Sequence, residues 1–182
     1  SRFEKMSDSC LKTYGEILRR VPDAKMIFKD NAYRRPYSIR RVMGLMPDVS
    51  PERLLFSLAT AHNDHILAYH QCDIALDPWP HGGGCVALEQ LWTSIPLVTK
   101  YGTQPAGRSA ASVLTLMGKG GWIAKTDEEY VEIAVRLAES PKELTAVRAT
   151  LHDDFMKSPV VVGYVESVEK AYQNMWTNWC KK

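Results

Sequence analysis

Three successive glycines, Gly82, Gly83 and Gly84, lie between a short apolar run, Ile74 to Asp77, and a helical stretch that opens at Cys85 and Val86. Glycines let the backbone come close to a ligand, and a helix start offers unpaired amides at the positive end of a dipole. Strand, glycine turn and helix in that order favour a phosphate held by backbone amides at the carboxyl edge of a sheet. The competing reading is a glycine turn that only reverses the chain; the placement between strand and helix favours phosphate. The turn is neither G-x-G-x-x-G nor a P-loop, since no lysine follows at the required place.

Other residues could converge on the same edge. Glu89 comes one helical turn after Cys85, where a carboxylate suits a pair of ribose hydroxyls. His62-x-Asp64-His65 follows the Arg53 to Ser57 strand and its loop, and the two histidines share a helix face. His65, with His62 beside it, suits a base or ribose contact. A zinc site recruiting His81 and Cys85 is not expected, because the spacing matches no usual ligand pattern. Lys5 stands just before the first helix and could bring its ammonium to a diphosphate. Arg108, opening a helix after the Leu97 to Thr99 strand, either supports a loop or meets a ligand or partner domain.

The elements that must position these residues alternate. Leu11, Tyr14, Ile17, Leu18 and Val21 fall at helical spacing, so a helix is expected over Asp8 to Arg20, ended by Pro22-Asp23. Strands are expected at Ala24 to Phe28, Arg53 to Ser57, Ile74 to Asp77 and Leu97 to Thr99, and helices at Ser38 to Leu45, Asn63 to Gln71 and Val86 to Ser94. Strands this short and this apolar, each followed by a helix, predict an α/β fold: a Rossmann-like parallel sheet with helices on both faces and right-handed crossovers. Thr126-x-x-Glu129 and Ser140-Pro141-x-Glu143 read as capping boxes opening two further helices. A last helix, about Val165 to Trp179, carries Val168, Ala171, Tyr172, Met175 and Trp176 on one stripe.

Bulk properties narrow the partners. The 182 residues suffice for one domain with its own core. A net charge of +2 with scattered basic residues argues against general nucleic-acid binding. No apolar stretch reaches the length of a bilayer span and the start has no signal-peptide character, so neither membrane nor secretion is expected. The four cysteines, Cys10, Cys72, Cys85 and Cys180, lie far apart and read as reduced thiols of a cytoplasmic protein. The chain opens without a methionine, close to a helical pattern, as a piece of something longer would.

Ordered along the chain, several segments resemble the C-terminal half of the catalytic region in the O-GlcNAc transferase and SPINDLY family of glycosyltransferases. They are Lys5 before Ile17 to Asp23 (I-L-R-R-V-P-D), His62 to Tyr69 (H-N-D-H-I-L-A-Y), Asp73 to Pro80 (D-I-A-L-D-P-W-P), and the glycine turn with Glu89-Gln90-Leu91-Trp92. Pro96 to Thr99, Arg108-x-x-Ala111-Ser112 and Ala171-Tyr172-x-Asn174-Met175-Trp176 continue the match. The resemblance implies a GT-B enzyme of two facing Rossmann-like domains, this chain being the second, with the final helix, 165–182, packing on the first. It implies inverting transfer of N-acetylglucosamine from UDP-GlcNAc to Ser or Thr of an acceptor protein lodged between the domains. Neither metal nor further cofactor is implied, and tetratricopeptide repeats often precede such a region.

By the same likeness Lys5 contacts the diphosphate as the catalytic cation. The amides of Gly84, Cys85 and Val86 hold the phosphates, Glu89 meets the ribose and His65 lies by the base, with Gly83 and His62 completing the expected nucleotide-binding residues. Two alternatives stay open: GDP-fucose as donor, since Asn63-Asp64-His65-x-x-Ala68-Tyr69 looks at least as much like the SPINDLY branch, and a non-catalytic interaction module. The family's loop usually continues into threonines, whereas Cys85 and Val86 stand here. That removes two hydroxyl donors, each worth about 1.5–3 kcal/mol toward a charged acceptor.

Overall fold

The computed structural model describes residues 2–181. Its first helix, α1, spans Asp8–Arg20 with Ser7 as cap, the Ser7 hydroxyl accepting from Cys10 N at 3.2 Å. One face buries Cys10, Leu11, Tyr14, Ile17 and Leu18. Its carboxyl end is tied off by Arg53, which donates to Leu18 O and Val21 O at 2.8 and 2.7 Å and to Ala24 O at 2.8 Å. Of these, Leu18 O is a carbonyl that the helix terminus leaves without an intrahelical partner.

The strands are β1 (Met26–Lys29), β2 (Leu54–Ser57), β3 (Ala75–Leu76), β4 (Leu97–Lys100) and β5 (Ile123–Ala124), all paired in parallel. Helices α2 (Pro36–Gly44), α4 (Cys85–Trp92) and α5 (Ser109–Leu116) make the crossovers within the two ladders, and α3 (His62–Ala68) runs between β2 and β3. Parallel pairing through helical crossovers is the expected α/β plan. In place of one continuous sheet the described residues form two ladders, β1-β2 and β3-β4-β5. The reason lies at β3. Ala75 N and Asp77 N both donate to β4 neighbours, at 2.8 and 2.9 Å, so Leu76 presents its groups to the other edge. There its carbonyl accepts the Tyr14 hydroxyl of α1 at 3.2 Å.

The core runs through Leu11, Leu18, Leu91, Leu97, Leu114 and Tyr130, all under 2% exposed. After β5 come α6 (Asp127–Glu139), α7 (Pro141–Lys157) and α8 (Tyr164–Cys180). Thr126 caps α6 by accepting from Glu129 N at 3.1 Å, while Glu129 reaches one residue further back than a capping box requires, to Lys125 N at 2.7 Å. Ser140 forms no side-chain cap. It ends α6 as well as starting α7, its ψ of 69° lies outside the extended range of an ordinary cap, and Glu143 pairs with Arg136 at 2.6 Å instead. Pro141 at the first helical position starts α7 without that help. The stripe of α8 is uncovered: Tyr172, Met175, Trp176 and Trp179 are 57–70% exposed. No described helix is long and apolar enough to cross a membrane.

Candidate functional site

The site gathers at the carboxyl ends of β2 and β3. An aromatic cluster behind it fixes the chain that leaves β3. Trp79 meets Tyr14 and Tyr130 edge-on at centroid distances of 6.1 and 4.9 Å. Its indole N–H donates to Ser9 Oγ at 3.1 Å, and Lys100 stands 4.3 Å above its ring. The Trp79-Pro80 peptide bond is cis.

The segment before α1 is pinned to this chain by a Met6–Pro80 bridge and by Ser7 N donating to Trp79 O at 3.1 Å. That places Lys5 beside the turn, its ammonium donating to Gly82 O at 2.9 Å. Lys5 and the glycines, far apart in sequence, therefore meet.

The turn divides in two. Gly82 and Gly83 are buried and Gly84 and Cys85 are exposed. Gly82 N donates to Ala106 O at 3.0 Å and Gly83 N to Asp77 Oδ1 at 2.6 Å. Among the described residues the amides of Gly84, Cys85 and Val86 donate to nothing. Unpaired amides at a helix start, with an ammonium on the same turn, have the chemistry to hold an anion. The space between turn and ligand is not what the first two glycines serve: a Cβ on Gly82 or Gly83 would meet Asp77 Oδ2 or Oδ1 at 2.7 or 3.0 Å, and one on Gly84 would meet nothing.

Asp77 is the residue that sequence reasoning passed over. It is 5% exposed, and burial pushes its carboxyl up to about 6 against the opposing pull of the Gly83 amide and the Thr99 hydroxyl. An acid ending an apolar strand just before a glycine turn was the available signal.

Beside the turn, Glu89 on α4, His65 on α3 and Tyr69 form one connected group. The Tyr69 hydroxyl donates to Glu89 Oε2 at 3.2 Å and lies 3.0 Å from His65 Nε2, which is itself 3.5 Å from Glu89 Oε2. With Nε2 protonated, the proton chain runs His65 to Tyr69 to Glu89. Burial, then the field of Lys29, lowers the His65 pKa, with Glu89 pulling the other way. Burial, then Glu89, raises that of Tyr69. Tyr69 was expected within a continuous helix, but α3 ends at Ala68 and a tighter turn over Tyr69–Gln71 follows.

His62 stands apart from that group. It lines a largely apolar cavity of about 590 Å³ between α3 and α4, with Ile66, Leu67, Leu88, Trp92 and the flank of Glu89. Arg108 takes the supporting role: it donates to Gly102 O and Thr103 O at 2.8 and 2.7 Å and stacks 5.2 Å from the Tyr101 ring. The loop it braces carries Ala106, the partner of Gly82. Among the described residues no three His, Cys, Asp or Glu side chains are grouped to hold a metal ion, His62, His65, His81 and Cys85 included.

The profile of glycosyl transferase family 41 matches residues 1–167. The probable UDP-N-acetylglucosamine–peptide N-acetylglucosaminyltransferase SPINDLY of Solanum lycopersicum is 32% identical over 189 residues, covering 99% of this chain and 20% of that protein. The UDP-N-acetylglucosamine–peptide N-acetylglucosaminyltransferase of Caenorhabditis elegans is 29% identical over 186 residues, 98% of this chain and 16% of its own length. A solved structure of a Thermobaculum terrenum O-GlcNAc transferase mutant superposes with a TM-score of 0.87 at 29% identity, over 94% of this chain and 34% of that one. The chain thus spans about a fifth of the length of the SPINDLY relative.

Proposed function

Because the chain belongs to glycosyl transferase family 41, we propose that it is the nucleotide-sugar-binding half of an inverting protein O-glycosyltransferase, moving N-acetylglucosamine from UDP-GlcNAc to Ser or Thr of a protein. The observation that carries this reading is the run of amides at Gly84, Cys85 and Val86, without partners among the described residues, on the turn that also holds the Lys5 ammonium. The donor named for the curated relatives, UDP-N-acetylglucosamine, supports the choice of sugar nucleotide.

In this mechanism an acceptor hydroxyl attacks the anomeric carbon from the face opposite the nucleotide. The new C–O bond forms as the bond to the diphosphate breaks, and the configuration inverts. Negative charge gathers on the departing diphosphate, where preorganised donors count most. Lys5 has three N–H donors and needs one for Gly82 O, so it can keep its anchor and still reach a phosphate oxygen. Lys5 and the helix start supply the positive charge, with no metal or cofactor called for. Glu89 holds the ribose hydroxyls, with His65 and His62 toward the base. Proton removal from the acceptor falls to the N-terminal half or the substrate.

In the same reading residues 1–182 form one domain, and α8 lays its exposed aromatic stripe on the N-terminal half, where the protein acceptor also lodges. Tetratricopeptide repeats upstream would complete the plan. The four cysteines make no disulfide among themselves, which suits a reducing cytoplasm.

Calorimetric titration with UDP and with GDP tests the proposal. UDP is expected to bind, and Lys5→Ala to weaken it by about tenfold or more. Tighter binding of GDP would move the donor to the SPINDLY-type alternative, GDP-fucose. Failure of both nucleotides would leave a non-catalytic interaction module.

A further inference from the structure

Asp77 has no place in the chemistry above, yet both of its carboxylate oxygens are engaged, Oδ1 by Gly83 N at 2.6 Å and Oδ2 by the Thr99 hydroxyl of β4 at 2.8 Å. We propose that Asp77 is the positioning residue of the diphosphate site: it draws the Gly83 amide inward and so leaves the next three amides, of Gly84, Cys85 and Val86, to grip the anion. The inference rests on reading that turn as the diphosphate site.

Three features support the role. First, the carboxylate fills the inside of the turn, which is why positions 82 and 83 have no room for a Cβ. Second, Asp77 is itself held from three sides: its N–H donates to Val98 O at 2.9 Å, its carbonyl accepts the Tyr130 hydroxyl at 3.0 Å, and Thr99 fixes the side chain. A group held so rigidly dictates the geometry of the turn rather than following it. Third, Asp77 is a buried carboxyl raised to about 6, and groups shifted in this way gather at functional sites. Among the described residues the ionisable groups that act on it are Lys5 from the N-terminal segment, Cys10 and Tyr14 from α1 and Tyr130 from α6. Lys5 is the cation of that group, and it touches the same turn at Gly82 O.

Amide NMR of the chain titrated with UDP and with GDP tests this. The resonances of Gly84, Cys85 and Val86 are expected to move with nucleotide, while Gly83, bonded to a carboxylate, stays far downfield and unmoved. Asp77→Ala is expected to shift Gly83 upfield and to weaken nucleotide binding about tenfold, and Asp77→Asn, which keeps an acceptor for Gly83, to recover most of that affinity. Nucleotide that moves Gly83 as far as its neighbours overturns the inference, as does an Asp77→Ala chain that binds as the unaltered one does. If Asp77→Ala does not fold, the unaltered chain and Asp77→Asn decide the matter. Absence of any nucleotide binding by the unaltered chain removes the site reading and this inference together, whereas binding that ignores Asp77 removes only the latter.

Discussion

The Tyr69 hydroxyl, at the end of α3, donates to Glu89 Oε2 on α4 at 3.2 Å, so the carboxylate assigned to the ribose is oriented by a buried neighbour from another element. The Tyr69 hydroxyl also lies 3.0 Å from His65 Nε2, so the phenol couples the side proposed for the ribose to the side proposed for the base.

Tyr69→Phe keeps the ring and removes the link. Loss of one hydrogen bond of this kind is worth about 1 kcal/mol, so UDP affinity is expected to fall about fivefold. Inorganic pyrophosphate, which has no ribose, should bind as before. Calorimetry with both ligands checks this, and an equal loss for pyrophosphate would show that Tyr69 acts on the turn and not on Glu89.

Asp77 sets a pH dependence of stability. Its folded pKa, about 6, lies above the ordinary carboxylate value of 3.8. The fold therefore holds the proton more tightly than the unfolded chain does, and stability is lost as pH rises through that window. Asp77→Asn does not titrate. In urea unfolding the mutant is expected to gain on the unaltered chain between pH 4 and pH 7, by on the order of 3 kcal/mol, and to gain no more above it. A constant difference across that range would contradict a raised Asp77.

Much of this arrangement could be read from residue order, and the exceptions have physical causes. Helix α1 carries Ser7 before it and Pro22 after it, two strong local signals, and its bounds match at both ends. That Lys5 and the glycine turn meet at one edge, with Glu89 and His65 close to each other beside them, was legible because their segments follow strand ends. Asp77 was not, because it reads as the last residue of a short strand, and only the fold shows Thr99 and Gly83 closing on it. Strand β5 is two residues long and gives no periodicity. Tyr69 reads as one more helical residue, since the break after Ala68 has no glycine or proline to mark it. Ser140 has the residue type of a cap, but serving two helices at once denies it the backbone of one.

Cys85 and Val86 occupy positions where a hydroxyl could add to the backbone grip. Cys85 is exposed at the first position of α4, so Cys85→Thr should fit without repacking. An added hydroxyl bond to a phosphate is expected to raise UDP affinity by about tenfold. The matching result is a lower Kd by calorimetry with an unchanged Tm in the absence of ligand. Unchanged affinity would mean that the diphosphate does not reach this end of the helix.

A crystal of the chain soaked with UDP tests the central claim most directly. The expected density has the diphosphate within hydrogen-bond reach of the Gly84, Cys85 and Val86 amides and of Lys5 Nζ, with the ribose against Glu89. A diphosphate seated away from those amides and from Lys5 would contradict it.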